Sequence, residues 1–494
     1  MYALGFDIGS SSVKAALLNL ESGKQEASAF SPKTEMPITA VKAGWAEQDP
    51  AMWWEHLKVA TSEVLAAAPH TRDKIIAIGI SYQMHGLVIV DKQKQVLRPS
   101  IIWCDSRAVE IGQKAFAAIG SEACLSTLLN SPGNFTASKL RWVKEHEPKI
   151  FEKIDKFMLP GDYIALRLTG EACTTLSGLS EGILFDFKTN APARMLLDHY
   201  EISADLVAPI VPTFGEQGRV SKSAAQELGL SAGIPVSYRA GDQPNNALSL
   251  NVMEPGEIAA TAGTSGVVYG VSGTLKYDPV SRVNSFAHVN HTAQAPHVGV
   301  LLCINGTGSA NSWIRRTTGQ QNIPYAQINE QSINISLGSD GLVCLPFGNG
   351  AERMLENRDI GAHFHNLQFN IHSPAHLVRA VQEGVAFSFH YGVEIMHSLD
   401  MKPTVLRAGL ANLFLSPIFC DILANTAGIT IEFYNTDGAQ GAARGAALGA
   451  KVFTGREEMF KGLERVKVIE PQRNRMQQYH DAYATWLSVL KRHL

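Results

Sequence analysis

Short runs of alternating hydrophobic and polar residues open the chain, a pattern typical of β-strands joined by tight turns. Apolar side chains alternate with small or polar ones through Leu4–Ile8, and an apolar run resumes at Val13 after three serines. A period of two predicts strands, and the small polar turn predicts that they form a β-hairpin. The segment Lys74–Val90 is expected to form two further strands, interrupted by the polar residues Gln83–Gly86.

Helix starts are marked by a capping residue followed by proline at three places. Asp49-Pro50, Ser373-Pro374 and Ser416-Pro417 each precede a run with helical apolar spacing, and such pairs favour an N-cap and a first-turn proline. The stretch Gln472–Leu494 is amphipathic and predicts a helix on the surface. Strands that alternate with helices indicate the α/β class.

A polar turn occurs twice, about half a chain length apart. Gly9-Ser10-Ser11 and Gly263-Thr264-Ser265 each lie between two apolar strands. One short match leaves a repeat open, but its place favours two related halves. We therefore expect two domains, residues 1–250 and 251–494, with the C-terminal helices packed on the second.

Composition narrows the class of protein. The 494 residues are 45% hydrophobic and 18% charged with a formal net charge of −3, which is typical of globular domains. The sequence has no block of Lys and Arg and no apolar run of membrane-spanning length, which argues against nucleic acid and membrane partners. Six scattered cysteines and the lack of a secretory signal pattern predict a cytoplasmic protein.

The first polar turn carries residues suited to a polyphosphate. Asp7 ends the preceding strand, and the turn residues and Lys14 supply backbone N–H groups, hydroxyls and an ammonium. An oxygen ligand for a divalent cation beside donors for phosphate oxygens is what a nucleotide needs. The alternative is an ordinary hairpin with a polar turn.

Asp242 stands where a strand ends and a helix begins, a position at which α/β sheets place functional groups. If the protein transfers a phosphoryl group, this carboxylate could accept the proton of the acceptor hydroxyl. The helix dipole favours the charged form, so an ordinary pKa is expected. The alternative is a helix-capping aspartate.

Two polar clusters after apolar strands are candidates for sugar contacts. His85 lies in the Gln83–Gly86 interruption, and Trp103, Asp105 and Arg107 follow the next strand. The alternatives are a core histidine and a local surface ion pair, which contributes little to stability.

These motifs resemble the FGGY carbohydrate kinases of the actin and hexokinase superfamily, and among them the kinases that act on xylulose. The resemblance covers most of the chain and is carried by the segments Gly5–Lys14 (GFDIGSSSVK), Gly44–Pro50 (GWAEQDP), Gln83–Gly86 (QMHG), Phe135–His146 (FTASKLRWVKEH), Leu159–Glu171 (LPGDYIALRLTGE) and Gly263–Gly266 (GTSG), with Trp103, Asp105, Arg107, Gly241-Asp242, Glu352-Arg353 and Arg379–Gly384.

The resemblance implies two ribonuclease-H-like α/β domains around an active-site cleft. The implied chemistry is transfer of phosphate from ATP, with Mg²⁺, to D-xylulose, giving D-xylulose 5-phosphate. Asp7 is then expected beside the metal and Asp242 at the sugar as catalytic base. The remaining implied contacts are Met84, His85, Trp103 and Asp105 on the sugar, and Gly9, Ser10, Ser11, Ser12, Lys14, Gly263, Thr264, Ser265, Gly409 and Asn412 on ATP.

Other functions stay open at this point. The family also contains kinases of other ketoses and polyols, such as ribulose, gluconate or a glycerol-like substrate; the glycerol kinases place an Arg-Glu pair where this chain has Met84-His85. A nucleotide-binding module without catalysis is a third alternative, and a homodimer is allowed. The loop Arg407–Asn412 lacks the family's run of glycines, so its adenosine contacts are expected to differ.

Overall fold

The computed structural model describes all residues, Met1–Leu494, and contains two large β-sheets. We number the strands of these two sheets along the chain. The first sheet has the order β5-β4-β1-β2-β3, in which β1, β2 and β3 form an antiparallel meander and β4 and β5 run parallel to β1. Its strands are β1 Tyr2–Ile8, β2 Val13–Asn19, β3 Gln25–Ser31, β4 Ile75–Tyr82 and β5 Val236–Gly241.

The second sheet repeats this topology and adds a strand at each edge. Its order is β8-β9-β7-β6-β10-β11-β12; β6, β7 and β9 are an antiparallel meander, and β10 and β11 run parallel to β6. Its strands are β6 Ile258–Ala262, β7 Gly266–Ser272, β8 Asn284–Ala287, β9 Val298–Ile304, β10 Val405–Gly409, β11 Thr430–Tyr434 and β12 Arg465–Ile469.

The two polar turns occupy equivalent places in this repeat. The turn Gly9–Ser12 joins β1 to β2, and the turn Gly263–Ser265 joins β6 to β7. The internal repeat that the sequence suggested from these two turns is therefore confirmed by the strand order of the two sheets.

Helices cover the sheets and fill the connections between strands. The seventeen α-helices are α1 Pro50–Ala67, α2 Val109–Ile119, α3 Ser121–Leu128, α4 Thr136–His146, α5 Pro148–Phe151, α6 Pro160–Thr169, α7 Leu176–Glu181, α8 Arg194–His199, α9 Lys222–Leu228, α10 Asp242–Ser249, α11 Gly308–Thr317, α12 Tyr325–Ser332, α13 Pro374–Ser398, α14 Pro417–Ala427, α15 Gly438–Gly449, α16 Arg456–Met459 and α17 Met476–Lys491. None of these helices is both long enough and apolar enough to cross a membrane.

Shorter elements complete the chain. Five antiparallel or parallel strand pairs lie outside the two sheets: Glu47–Gln48 with Ser100–Ile101, Val88–Val90 with Lys156–Met158, Thr174–Thr175 with Ile210–Val211, Phe185–Asp186 with Ala191–Pro192, and Val343–Phe347 with Gly361–His365. The 3₁₀-helices are Pro69–Lys74, Ala204–Leu206, Ser339–Gly341, Glu352–Leu355 and Asn412–Leu415.

The predicted helix starts are confirmed. Asp49 accepts a hydrogen bond from the amide of Ala51 at the start of α1, and Ser416 accepts one from the amide of Phe419 at the start of α14. Ser373 precedes α13 with Pro374 in its first turn. At α1 and α14 the side-chain acceptor satisfies an amide that the helix itself leaves free; at α13 the amide of Ser373 donates to Nδ1 of His376 instead.

The prediction that the C-terminal helices pack on the second domain is right for α17 and wrong for α15. Helix α17 packs against α14 and against the strand Val343–Phe347. Helix α15 follows the last parallel strand of the second sheet but crosses to the first sheet, where it covers β1, β4 and β5. Its counterpart α10 follows β5, contacts β6 and β7 of the second sheet, and also packs on α15.

Small residues permit the close approach of α15 to the first sheet. A Cβ atom at Gly5 would lie 1.9 Å from the carbonyl oxygen of Ala439, and one at Gly79 would lie 2.0 Å from that of Ala442. The helix sequence GAQGAARGAALG consists almost wholly of glycine and alanine. Backbone therefore packs directly on backbone at this interface, and no larger side chain fits between them.

We expect Gly79→Ala to lower the thermal midpoint of unfolding, because its Cβ would overlap the Ala442 carbonyl group. Overpacking of this kind costs about 1–3 kcal/mol or more. Gly392→Ala is the matched control: in α13 a Cβ there would meet Leu302 at 3.6 Å, an ordinary contact, and alanine favours the helix. Equal midpoints for both variants would contradict the proposed close packing of α15.

Candidate active site

Asp7 lies near the end of β1, half-buried and directly before the first polar turn. The hydroxyl of Ser81 on β4 donates to its Oδ1 at 2.9 Å, and Lys14 stands opposite it on β2. Burial raises the pKa of the Asp7 carboxyl, while Lys14 and Ser81 oppose that rise. The strand thus holds a carboxylate beside a cation at the base of the turn.

The start of α15 closes the other side of Asp7. Asp437 caps this helix by accepting a hydrogen bond from the amide of Gln440 at 2.9 Å, and its charge contributes to the raised pKa of Asp7. A Cβ atom at Gly438 would lie 2.6 Å from Oδ2 of Asp7. The second half of the chain therefore contributes backbone directly to the surroundings of this carboxylate.

The first polar turn is fixed by its backbone and leaves its hydroxyls accessible. The amide of Gly9 donates to the carbonyl oxygen of Ser12 at 3.0 Å, and Gln48 Nε2 donates to the carbonyl oxygen of Ser10 at 2.7 Å. The indole N–H of Trp103 donates to Ser10 Oγ at 3.4 Å, with 49% of Trp103 exposed. Ser11 and Lys14 are exposed. Trp103 thus joins the candidate sugar residues to the candidate phosphate turn.

Asp242 is the first residue of α10, immediately after β5. A Cβ atom at Gly241 would lie 2.2 Å from Oε2 of Glu181 and 2.6 Å from Cγ of Met84. Glycine at this strand end therefore lets Met84 and Glu181 approach the backbone beside Asp242. Asn245 on α10 donates to the carbonyl oxygen of Gly438 at 2.8 Å, which connects Asp242's helix to the start of α15.

The expectation of an ordinary pKa for Asp242 is wrong. Burial, followed by repulsion from Asp7, raises its pKa to about 7. Both effects disfavour the carboxylate, and together they outweigh the helix N-terminus that favours it. Burial and the distance to Asp7 are both set by the fold, so the local sequence does not show this shift.

His85 is held in a strained turn with one ring nitrogen left for a ligand. Its φ is 62°, and its Nδ1 lies 2.9 Å from the carbonyl oxygen of Glu181. The rings of Phe135 and Phe286 flank it at centroid distances of 4.6 and 5.2 Å. Burial, together with the charges of Lys139 and Arg353, lowers the pKa of His85 to about 3. The ring is neutral, so Nδ1 donates to the carbonyl and Nε2 remains an acceptor.

Buried Lys139 fixes the backbone around His85. Its ammonium donates to the carbonyl oxygen of His85 at 2.9 Å and to that of Ile102 at 3.0 Å. Burial lowers the pKa of Lys139 to about 7. Lys139 thereby ties the His85 turn to the strand end that precedes Trp103.

Asp105, predicted to contact the sugar, is completely buried, and both of its oxygens accept hydrogen bonds from the guanidinium of Arg107; the amide of Ala46 also donates to Oδ2. Its role as a sugar contact stays a prediction. The alternative of a surface ion pair is wrong, because the pair is buried. Asp105 instead forms a buried, bidentate pair whose oxygens point to protein donors.

Arg107 extends this pair into a network that joins two of the sequence motifs. Its Nη1 lies 2.7 Å from Glu47, which also binds Arg98, and its guanidinium stacks 3.8 Å from the centroid of the Trp45 ring. Glu47 and Trp45 belong to the motif Gly44–Pro50. Asp105 and Arg107 therefore position the loop that carries Trp103.

The second polar turn borders a cavity of about 590 Å³. The amides at the start of α11 dock on this turn: Gly308 N–H donates to Gly263 O at 2.8 Å and Ser309 N–H to Thr264 O at 3.1 Å. The cavity is lined by Gly263, Thr264 and Asn412 from the predicted set, and also by Ala262, Gly308, Ser309, Asn311, Ser312, Arg316, Tyr325, Asn329, Leu413, Leu415 and Ser416. Ser265 and Gly409 do not line it.

Sequence reasoning missed several of these positions. Ser81 and Glu181 have no motif of their own and reach the site only through strand pairing and helix packing. Gly438 had a visible signal, because Asp437 caps a helix of glycine and alanine that must pack closely against another element. The residues of α11 and α12 around the cavity lie in a segment to which no role had been assigned.

The duplicated meander-plus-parallel topology, with a polar turn in each first hairpin, is shared with solved structures of sugar kinases. The chain belongs to the FGGY family of carbohydrate kinases: its residues 2–249 match the N-terminal domain of that family, and residues 258–452 match the C-terminal domain. The predicted family, fold class and enzyme class are confirmed.

Similar proteins carry consistent names. The chain is 30% identical over 91% of its length to the xylulose kinase of Escherichia coli, covering 89% of that protein, and 28% identical over 99% to the xylulose kinase of Bacillus subtilis, covering 96% of it. A crystal structure described as a xyloylose kinase from Brucella ovis superposes with a TM-score of 0.89 at 27% identity, covering 99% of this chain and 98% of that one. The Plasmodium falciparum glycerol kinase structure, at 20% identity and TM-score 0.87, shares the fold.

We expect Asp105→Asn to destabilise the protein and to leave the KM for sugar unchanged. The change removes one charge of a buried pair, which costs about 3–5 kcal/mol when the partner is left behind. Thermal denaturation and steady-state kinetics below the new midpoint measure the two effects separately. A raised KM for sugar with an unchanged midpoint would instead restore Asp105 as a substrate contact.

Proposed function

We propose that this protein is a xylulose kinase that transfers the γ-phosphate of ATP to D-xylulose and forms D-xylulose 5-phosphate. The observation that carries the proposal is the approach of Met84, Glu181 and Asp242 around Gly241, with the neutral ring of His85 held by the Glu181 carbonyl. One strand end thus gathers a base and hydrogen-bonding groups for a polyol. The relatives named as xylulose kinases support the choice of sugar.

Asp242 is the proposed catalytic base. A sugar hydroxyl must lose its proton as the bond to phosphorus forms, and in a loose transition state this loss comes late. Asp242 therefore orients the hydroxyl and accepts its proton at the end of the transfer. Because burial and Asp7 raise the pKa of Asp242 to about 7, a proton moves to this carboxyl more readily than to an exposed aspartate.

Asp7 is the proposed residue beside Mg²⁺. Its oxygens form a hard donor set of the kind Mg²⁺ prefers, and the absence of a side chain at Gly438 leaves room beside Oδ2. When bound, the ion neutralises charge on the phosphate oxygens. Burial and Asp437 raise the pKa of Asp7, which is the behaviour of a carboxylate whose surroundings favour an added positive charge.

The two polar turns are the proposed phosphate contacts. Backbone amides and hydroxyls of Gly9, Ser10, Ser11 and Ser12, with Lys14, would bind phosphate from the first sheet, and those of Gly263, Thr264 and Ser265 from the second. The cavity beside Gly263 and Asn412 is the proposed adenosine site, with Gly409 behind rather than in its wall.

His85, Met84 and Trp103 are the proposed sugar contacts. Nε2 of His85 accepts a hydrogen bond from a substrate hydroxyl, since its Nδ1–H is already donated to the Glu181 carbonyl. Met84 supplies an apolar contact beside Gly241, and Trp103 covers the turn at Ser10. The free state of all six cysteines supports a reducing compartment, and we propose the cytoplasm.

The proposed function is tested by ADP release with Mg²⁺·ATP and a panel of acceptors: D-xylulose, D-ribulose, D-gluconate and glycerol. We expect the highest kcat/KM with D-xylulose. A higher value with another acceptor would replace xylulose by that compound and keep the kinase, and release of ADP that no acceptor stimulates would contradict a sugar kinase.

Asp242→Asn is expected to lower kcat by roughly 10²–10⁴-fold, the contribution of a positioned base, because the amide keeps the shape but cannot take the proton. Calorimetric binding of both substrates should persist.

In the wild type the raised pKa of Asp242 places the acid limb of kcat/KM towards pH 7, with activity lost as the pH falls and the carboxylate is protonated. The control is Asp49→Asn, which changes only a helix cap; equal kcat values in both variants would contradict Asp242 as the base.

His85→Ala is expected to raise the KM for D-xylulose by about tenfold, the equivalent of roughly 1.4 kcal/mol, with the KM for ATP unchanged. The wild type should discriminate against a deoxy analogue that lacks the contacted hydroxyl, because Nε2 of His85 is then left without a hydrogen bond. The variant should discriminate less strongly, because it lacks that nitrogen. His146→Ala is the matched control, since His146 also bonds a backbone carbonyl and stacks on an aromatic ring. A rise in the KM for ATP alone would contradict the sugar contact.

A further inference from the structure

Three histidines outside the proposed active site lie close together. His363, His365 and His493 each offer a ring nitrogen, and these nitrogens all lie within 4.8 Å of one another. His363 and His365 are two positions apart on the strand Gly361–His365, so their side chains share one face. His493 follows helix α17 at the end of the chain. All three side chains are partly exposed.

Well-packed elements hold these histidines together. The strand of His363 and His365 pairs with Val343–Phe347, placing His363 opposite Leu345 and His365 opposite Val343. Helix α17 is fixed on that partner strand, because the indole of Trp486 donates to the carbonyl oxygen of Cys344 at 2.9 Å. Leu490, three residues before His493, is fully buried. The fold therefore sets the backbone positions of all three histidines.

The ring spacing matches that of three imidazoles around one ion. The ring centroids lie 4.1, 5.1 and 5.7 Å apart, and Nε2 of His365 lies 3.1 Å from Nε2 of His493. A tetrahedral ion with metal–nitrogen distances of about 2.0–2.1 Å places the nitrogens about 3.3 Å apart and the centroids about 5 Å apart. The observed centroid distances bracket that value.

A hydrogen bond to the backbone orients the ring of His363. His363 Nε2 donates to the carbonyl oxygen of Ile360 at 2.6 Å, which leaves the lone pair of Nδ1 for a ligand. A second hydrogen bond of this kind commonly orients a metal-binding imidazole.

We propose that His363, His365 and His493 bind one divalent transition-metal ion of the Zn²⁺ type, with water as the fourth ligand. Imidazole nitrogens suit Zn²⁺, Ni²⁺ and Cu²⁺, whereas Mg²⁺ prefers oxygen, so this site is chemically distinct from the one at Asp7. The ion would tie the C-terminus to the hairpin Val343–His365. The competing explanation is a hydrogen bond between His365 and His493 with no ion.

The test is calorimetric titration of the chelator-treated full-length protein with Zn²⁺. We expect about one saturable equivalent, and binding weaker by more than about 100-fold in the double variant His363→Ala/His365→Ala, since even a changed second-shell partner costs 10–100-fold. His493→Ala removes the ligand that follows α17, and this variant should lose the Zn²⁺ site as well. His199→Ala, which removes an exposed histidine elsewhere, should bind as the wild type does.

Two further measurements test which residues bind the ion and whether the ion holds the C-terminus in place. Co²⁺ in place of Zn²⁺ should give the visible absorption of a tetrahedral site in the wild type and lose it in the double variant. Zn²⁺ should slow removal of Leu494 by a serine carboxypeptidase in the wild type only. No saturable Zn²⁺ binding by the wild type, or equal binding by the double variant, would overturn the proposal and leave the hydrogen-bonded cluster.

Discussion

The close packing of α15 on the first sheet is the interaction on which the arrangement of the cleft depends. Backbone meets backbone at Gly5 and Gly79, where a single added methyl group would overlap a carbonyl oxygen of the helix. Because α15 belongs to the second half of the chain, this contact joins the two sheets. It also sets how far the start of the helix, at Asp437 and Gly438, stands from Asp7.

The electrostatics of the proposed catalytic residues depend on burial and on neighbours that are distant in the sequence. Asp7, Asp242 and Asp437 come from three separate stretches of sequence; burial is the main cause of the raised pKa values of Asp7 and Asp242, and repulsion from Asp437 and from Asp7, respectively, adds to it. Such crowding is unfavourable for folding, since each carboxylate loses water and gains a like-charged neighbour. It is favourable for binding a cation with a polyphosphate. The proposed active site therefore holds negative charge that a cation bound together with the nucleotide would neutralise.

Local order was predictable from sequence, and relationships between distant segments were not. The first hairpin, the caps at Asp49 and Ser416, and the repeat of the polar turn follow from patterns within a few residues, and the structure contains each of them. The crossing of α15, the burial of Asp105 and the raised pKa of Asp242 depend on partners far away in the chain. Asp105 shows the difference: an Asp-x-Arg triplet has the same local pattern in a surface ion pair and in the buried network with Glu47.

Substitution of Gly438 by alanine tests whether the start of α15 forms part of the catalytic centre. Its Cβ would stand 2.6 Å from Asp7 Oδ2, at a helix position where alanine is otherwise favourable. We expect a folded protein that binds D-xylulose normally by calorimetry and has lost most of its ATP-dependent turnover, because the space beside Asp7 is filled. Wild-type turnover in Gly438→Ala would contradict the claim that the start of α15 forms part of the catalytic centre.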